Sequence, residues 1–533
     1  MWGRIAYLAT GFLFAFSFPC CAIAEFAYFF AVPFLVWGYS CDNKKAIRWS
    51  AFGAGWIGWL LTIFFLRHVW FGLPYIAGAY GGLYVGIWLY VATFGLKQLV
   101  NERGLNRLIG ILGLAGFWVI LEWLRGWLFS GYPWLPLAAS QWQKPVVLQF
   151  LAFTGSYGLS FVLILFNLII ASFIIEIKRR IQFADNPEHP RYHVRKPLGH
   201  RGLLPIEAYV GLALMALAMI LFLKNLPEKK NQEFAFKAGL VQTNIEARLK
   251  WDADFFWENL RVLQEETMKV REKEPDLIIW PESAIPSALN TDLYMLPWME
   301  RLVNEVNVPF LIGAIAMEGK DDWYNAIFEV KPQTGLSPSY YAKQKRVPFG
   351  EYVPFKEFLP FINKIVPTDF ELSSGTNKEP LIVAANGRNW HIGCLVCYED
   401  IFSFLARENV KRGADFLLVI TNDAWYRGEG GAYQHASNSV LRAVEARRPV
   451  IRCGNDGWSG WIDEFGNIRG VLTNGLGKIY MRGNAVFPIY YDASWKNKMS
   501  FYVQFGDWFV AVAALLSLLA FILFVITGKR NEV

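Results

Sequence analysis

The stretch His391-Ile392-Gly393-Cys394-Leu395-Val396-Cys397-Tyr398-Glu399-Asp400 runs an apolar strand into a polar segment that opens a helix at about residue 401. A cysteine at such a junction presents its sulfur beside backbone N–H groups, which lowers a thiol pKa and supplies an oxyanion site. The competing reading of Cys397 is a buried, inert cysteine. Cys394 and Cys397 also make a C-x-x-C, which invites redox and zinc readings. Strand alternation turns the two thiols to different environments, no second C-x-x-C exists, and only six histidines are present, so both readings are weak.

The same texture continues on either side. FAFKAGLVQ (234–242), DLIIW (276–280), FLIGAIA (310–316), YNAIFEV (324–330), HIGCLV (391–396) and FLLVI (416–420) read as strands, with helices at about 253–273, from 401, and 434–447. Strand and helix alternation with buried apolar strands argues an α/β layered sheet. Reactive residues in such sheets gather just past the carboxyl ends of strands. Glu282 stands there in Leu277-Ile278-Ile279-Trp280-Pro281-Glu282-Ser283, where a buried carboxylate can serve as a general base and a solvated one does nothing. Lys343 lies in Tyr341-Ala342-Lys343-Gln344-Lys345-Arg346-Val347-Pro348-Phe349-Gly350-Glu351. It is either an oxyanion partner or part of a wet basic face, and nothing intrinsic selects it over Lys345. A carboxylate, an ammonium and a thiol near strand ends of one sheet make a cysteine acyl-transfer site of base, oxyanion partner and nucleophile.

Beyond this region the composition changes. The chain has 533 residues, 54% hydrophobic, 17% aromatic and 18% charged, which excludes a disordered or fibrous protein. Of its 97 charged residues, 67 fall within 228–500 and only 15 within 1–176. The middle stretch has the charge density of a soluble domain, and the first cannot face water over most of its surface. Residues 228–500 carry net −3, so the overall +7 comes from the apolar portion and reports membrane orientation. A nucleic-acid partner has no support.

Eight apolar runs are long enough to span a bilayer: about 5–22, 24–40, 50–66, 76–96, 108–128, 156–176, 206–223 and 505–527. The first two join tightly around Cys20, Cys21 and Glu25 as a hairpin. With a cytoplasmic N-terminus, inside loops hold sixteen Lys and Arg and short outside loops hold Arg67, Arg125 and Lys144. Residues 1–227 then form a membrane domain of seven transmembrane helices, 228–500 an extracytoplasmic catalytic domain, and 501–533 a last span with a cytoplasmic tail. Phe18 and Pro19 before the cysteine pair oppose a lipoprotein acceptor site, so the first segment is expected to be retained. The glycine-rich third and fourth spans read as close helix packing. Glu122 and Arg125, one turn apart, read equally as a structural or a functional pair.

The chain resembles the nitrilase superfamily, and within it the bacterial apolipoprotein N-acyltransferases, through LEWLRGWLFSGYPWLPLAASQW (121–142), LVQTNI (240–245), WPESAIP (280–286), YAKQKRVPFGEYVPF (341–355), CYED (397–400), NDAWY (422–426) and RAVEARRPVIRCGNDG (442–457). The first of these lies outside the nitrilase region and is peculiar to the acyltransferases. The resemblance implies a polytopic α-helical membrane domain joined to an αββα sandwich. It implies Glu282 as general base, Lys343 as oxyanion stabiliser and Cys397 as nucleophile, with Glu351, Tyr398 and Glu399 in support. Two departures stand out: Asp456 where the family usually carries Asn or Thr, and a long loop at 178–205.

The expected reaction moves an acyl chain from a membrane phospholipid to the α-amino group of a lipoprotein's diacylglyceryl-cysteine, by a ping-pong route through a Cys397 thioester, without metal or other cofactor. The site belongs on the periplasmic side of the bacterial inner membrane, with both termini cytoplasmic. Trp134, Trp251, Trp425 and Tyr426 are the candidate substrate contacts at the membrane interface. Asp423 and His435 lack ligand spacing and read as a satisfied polar network. A membrane-tethered amidase and a transporter or scaffold with a ligand-binding outer domain are the competing functions. Residues 345–375 read as a candidate lid.

Overall fold

The computed structural model describes residues 2–19, 21–100, 102–184, 205–225, 231–354 and 371–530. Cys20, most of the 178–205 loop and the centre of the 345–375 segment lie outside the described residues. The chain divides into two compact units, one of Met1–Lys224 with Asp507–Val533 and the other of Asn225–Gly506.

Among the described residues of the first unit, five helices are long and apolar enough to cross a membrane: Leu73–Leu99, Gly104–Arg125, Leu151–Arg179, Ile206–Lys224 and Trp508–Gly528. The other three expected spans fall outside this set, for local reasons. The first segment is a helix of 15 residues, Trp2–Phe16. The second is broken into a 3₁₀ turn, Ala24–Tyr28, and the helix Val32–Tyr39, whose start is set by Pro33. The third, Lys44–Thr62, opens on Lys44, Lys45 and Arg48, which dilute its hydropathy.

Small residues set the packing here. A Cβ on Gly55 would stand 2.2 Å from the Gly82 carbonyl oxygen, and one on Gly82 would stand 2.6 Å from the Gly55 carbonyl carbon. The glycine-rich stretches are therefore a backbone-to-backbone helix contact. Glu122 and Arg125 act on the loop that follows them. Glu122 Oε1 accepts the Leu137 N–H at 2.7 Å, Arg125 donates to the carbonyls of Tyr132 and Leu135 at 3.2 and 3.1 Å, and its guanidinium lies over the Trp59 ring.

The second unit is built on two sheets. Strands β1 (Gln232–Gln242), β2 (Leu277–Ile279), β3 (Ile285–Ala288), β4 (Phe310–Glu318), β5 (Asp322–Lys331) and β6 (Gly335–Ala342) are joined by the last strand, β13 (Gly483–Asp492), in the order β13-β1-β2-β4-β5-β6, with β3 on β4. Strands β7 (Leu381–Ala385), β8 (Arg388–Val396), β9 (Phe416–Thr421), β10 (Val450–Gly454), β11 (Gly460–Ile462) and β12 (Ile468–Val471) form the other in the order β12-β11-β10-β9-β8-β7. Pairing is parallel for β1-β2-β4 and for β8-β9-β10. Strand alternation fixes the layers. Phe236, Ala238, Leu240, Leu277 and Ile279 meet Ile392, Cys394, Val396, Phe416, Leu418 and Ile420 in one core. On the other face of the first sheet, Ile278, Trp280 and Ile312 pack with Leu260, Leu263, Met299 and Val303 of the helices Phe256–Arg271 and Met295–Val306. The helices Ser403–Lys411 and Gly431–Ala446 adjoin the second sheet. The result is the helix, sheet, sheet, helix sandwich implied by the resemblance. Every residue of β9 is buried, as a central parallel strand requires.

Candidate active site

β2 hands its chain through Trp280 and Pro281 to Glu282, which is 6% exposed. Its Oε1 accepts the Asn325 Nδ2–H at 2.7 Å and lies 3.5 Å from Lys343 Nζ. The backbone of Glu282 is also held: its carbonyl accepts the buried Lys250 ammonium at 2.7 Å. Burial presses the Lys250 pKa down to about 8, against the pull of Glu282.

Lys343 follows β6, where its N–H donates to the Asn325 carbonyl at 2.8 Å and so extends the β5–β6 pairing. Its side chain is 1% exposed and its ammonium donates to Glu351 Oε1 at 2.7 Å. Burial disfavours this charge, yet Glu351 and then Glu282 outweigh it and raise the lysine pKa. Glu351 Oε2 accepts the Val347 N–H at 2.8 Å, which closes the loop back on itself. Lys345 is used differently: its ammonium lies 5.6 Å from the ring centroids of Phe402 and Phe404. Spacing could not separate the two lysines; in the fold it is the Lys343 ammonium that lies between two carboxylates.

Cys397 directly follows β8 in a left-handed conformation, φ 52°. The helix expected from about 401 begins two residues later, so Cys397 does not itself lie at its N-terminus. Cys397–Ile401 is a 3₁₀ turn, and the helix Ser403–Lys411 begins after it. The thiol pKa correspondingly departs from expectation: burial pushes it up, the Glu282 carboxylate adds to that push, and Lys343 opposes it. A five-residue turn aligns too few peptide dipoles to offset burial and the Glu282 and Asp423 carboxylates. Burial thus favours the neutral form of the thiol. Cys394 is 1% exposed within the intersheet core, and both cysteines are free.

Glu399 ties the lysine segment to the cysteine turn. Its Oε1 accepts the N–H groups of Gln344 and Lys345 at 2.6 and 3.0 Å, and its Oε2 accepts the Val396 N–H at 2.7 Å and the Tyr341 hydroxyl at 2.9 Å. Burial pushes its pKa up to about 7 against these backbone donors. Glu399→Gln turns one acceptor into an NH₂ group facing N–H donors, so we expect a loss of about 2–3 kcal/mol in folding stability, read as a lower denaturation midpoint. An unchanged midpoint would show that the clamp is dispensable. Tyr398 packs its ring on Phe402 at 5.2 Å.

The candidate aromatic residues separate. Trp251 and Trp425 are 51% and 42% exposed, Tyr426 is partly buried, and all three belong to the sandwich unit. Trp134 is in the helical unit, 4% exposed and packed near Phe65, so its ring is interior rather than presented at a surface. Asn325 and Lys250 were missed by sequence reasoning. Asn325 sits mid-strand with no surrounding motif, and Lys250 marks itself only by adjacency to Trp251. Asp456, 6% exposed, has its pKa raised to about 6 by burial despite the Gly457 N–H. Among the described residues no group of His, Cys, Asp and Glu is arranged to hold a metal.

Comparison with known proteins covers both units. Residues 10–169 match the apolipoprotein N-acyltransferase N-terminal domain, and residues 237–476 match the carbon-nitrogen hydrolase domain. A curated apolipoprotein N-acyltransferase of Geobacter metallireducens is 31% identical over 96% of this chain and 94% of its own length. That of Azotobacter vinelandii is 32% identical over 70% and 68%, and apolipoprotein N-acyltransferase 1 of Treponema denticola is 26% identical over 95% and 93%. Among solved structures, an amidase from Nesterenkonia sp. is similar over 50% of this chain and 94% of its own, at 16% identity and a TM-score of 0.35. With both family regions present in order and a 31% identical relative matched nearly end to end, the chain belongs to the apolipoprotein N-acyltransferase family.

Proposed function

We propose that this protein transfers an acyl chain from a membrane phospholipid to the α-amino group of the N-terminal diacylglyceryl-cysteine of a lipoprotein, through a thioester on Cys397. The observation that carries the reading is the buried Lys343 ammonium held between Glu282 and Glu351, electrostatically coupled to a cysteine at a strained strand end.

In the first half-reaction the Glu282 carboxylate takes the Cys397 proton as Sγ attacks the phospholipid ester carbonyl. The oxyanion is met by the Lys343 ammonium and the Tyr398 N–H. Collapse breaks the ester C–O bond, and the leaving alkoxide recovers the proton from Glu282 as a lysophospholipid. In the second half the lipoprotein amine attacks the thioester, Glu282 takes its proton, and the departing thiolate is reprotonated. Glu351 and Glu399 hold the loop that carries Lys343. Exposed Trp251 and Trp425, with Tyr426, are the side chains offered to lipid.

Residues 228–500 form the extracytoplasmic catalytic domain in this reading. Residues 1–227 and 501–533 keep it at the bilayer surface through eight crossings, counting the three shorter or more polar helical segments as membrane-embedded. The distribution of basic residues supports both termini on the cytoplasmic side of the inner membrane. Both substrates keep their acyl chains in lipid, which is why the nucleophile belongs at the interface.

The test is bisubstrate kinetics with phospholipid and a diacylglyceryl-cysteine peptide. We expect parallel double-reciprocal lines, and in the absence of peptide a single burst of lysophospholipid. Continuous release of free fatty acid without peptide, from water as the acceptor, would replace the transferase reading with a hydrolase.

A further inference from the structure

The helix Gly431–Ala446 is buried along nearly its whole length, yet it carries His435, Ser439 and Arg442. His435, Asp400, Asp423 and Arg452 are each 0% exposed. Nδ1 of His435 lies 2.7 Å from Asp423 Oδ1, while Nε2 lies 3.0 Å from Asp400 Oδ1 and 3.1 Å from the Cys397 carbonyl oxygen. Arg452 closes the cluster with 2.7 Å to Asp400 Oδ2 and 3.2 Å to Asp423 Oδ2, and the Ser439 hydroxyl donates to Asp400 Oδ2 at 2.6 Å.

These contacts fix the state of the ring. Each nitrogen faces oxygen acceptors, and a neutral imidazole has one N–H, so only the imidazolium serves both sides. Two cations then balance two carboxylates, which is the condition for burying the set. Burial and Arg452 oppose the ring's charge, but Asp400 and Asp423 together outweigh them, so the His435 pKa rises to about 9. Asp400 comes from the turn after β8, Asp423 from the turn after β9 and Arg452 from β10, and the Cys397 thiol couples to the same cluster.

Cys397 itself needs support, because a non-glycine residue at φ 52° persists only where the surroundings hold it. We propose that His435 is a positioning residue of the acyl-transfer site: its Nε2–H holds the Cys397 carbonyl, and with it the left-handed turn that presents the thiol and the Tyr398 N–H. The inference rests on the reaction proposed above and adds a residue to it that never touches substrate.

His435→Gln and His435→Asn, made in the full-length protein, separate this role from a structural one. Both remove the buried cation, but the glutamine amide nitrogen reaches the position of Nε2 and the asparagine nitrogen only that of Nδ1. We expect His435→Asn to lower kcat for phospholipid by about 100-fold with little change in KM, and His435→Gln to recover at least about tenfold of that loss. Alkylation of Cys397 by iodoacetamide at neutral pH, read by intact mass, should follow the same order. This arm does not depend on the lipid reaction: the same order in a wild type that takes no acyl chain would sink the transferase reading and leave the positioning role standing. Equal losses in the two variants would overturn the proposal. Should neither variant fold, acyl loading of the wild type is followed as the pH is raised through about 9, where it should fall as the ring loses its proton. Loading that holds or rises through that range would also overturn it.

Discussion

Cys397→Ala is expected to abolish acyl loading: after incubation with phospholipid, the wild type gains the mass of one acyl chain, removable by hydroxylamine, and the variant gains none. The turnover loss should be on the order of 10⁴-fold or more, as for other nucleophiles that act as a unit with their base. The argument is geometric. Cys397 is the cysteine coupled to both Glu282 and Lys343, whereas Cys394 and Cys453 are 1% and 0% exposed, with thiols that burial pushes up. Cys21 is exposed, but it lies in the helical unit, so peptide mapping of the acylated protein is part of the measurement. A chain gained on Cys21, or on the alanine variant, would move the nucleophile elsewhere. The raised thiol pKa adds a second expectation. Because burial favours the neutral thiol, Glu282→Gln should slow loading nearly as much as loss of the sulfur.

How much of this was readable in the chain depended on the kind of signal. Continuous apolar strands such as Phe416–Thr421 declare a buried parallel sheet, and residues just past strand ends declare a site, so Glu282, Lys343 and Cys397 were visible as types in positions. What could not be read was where charge goes when it is buried. The polar side of Gly431–Ala446 suggests an amphipathic surface helix, but its His435 and Ser439 turn inward, because Asp400, Asp423 and Arg452 arrive from three other segments to meet them. Asn325 and Lys250 reach Glu282 across the fold and leave no periodic trace. The thiol pKa went against expectation for the same reason: local sequence suggests a helix N-terminus, while the burial that raises it, and the Glu282 carboxylate that adds to it, come from parts of the chain distant in sequence. Aromatic content likewise marks a membrane protein without saying which ring is outside, and Trp134 is interior.

Lys343→Met is expected to cost both fold and activity, and a second substitution separates the two losses. The ammonium, 1% exposed, stands 2.7 Å from Glu351 Oε1 and 3.5 Å from Glu282 Oε1. Without it two buried carboxylates face each other with Asn325 Nδ2, at 2.7 and 3.5 Å, as the group between them. Leaving buried charge uncompensated in this way costs about 3–5 kcal/mol, visible as a lower denaturation midpoint. Acyl loading should fall at least about 100-fold beyond any loss of folded protein, because the oxyanion loses its charged donor. Adding Glu351→Gln removes one of the stranded charges and should return a substantial part of the stability, since Gln can still donate to or accept from the Asn325 side chain. It supplies no cation at the position of Lys343 Nζ, so loading should stay at the level of the single variant. Recovery of loading in step with stability would assign Lys343 to the fold alone and leave the oxyanion to backbone N–H groups.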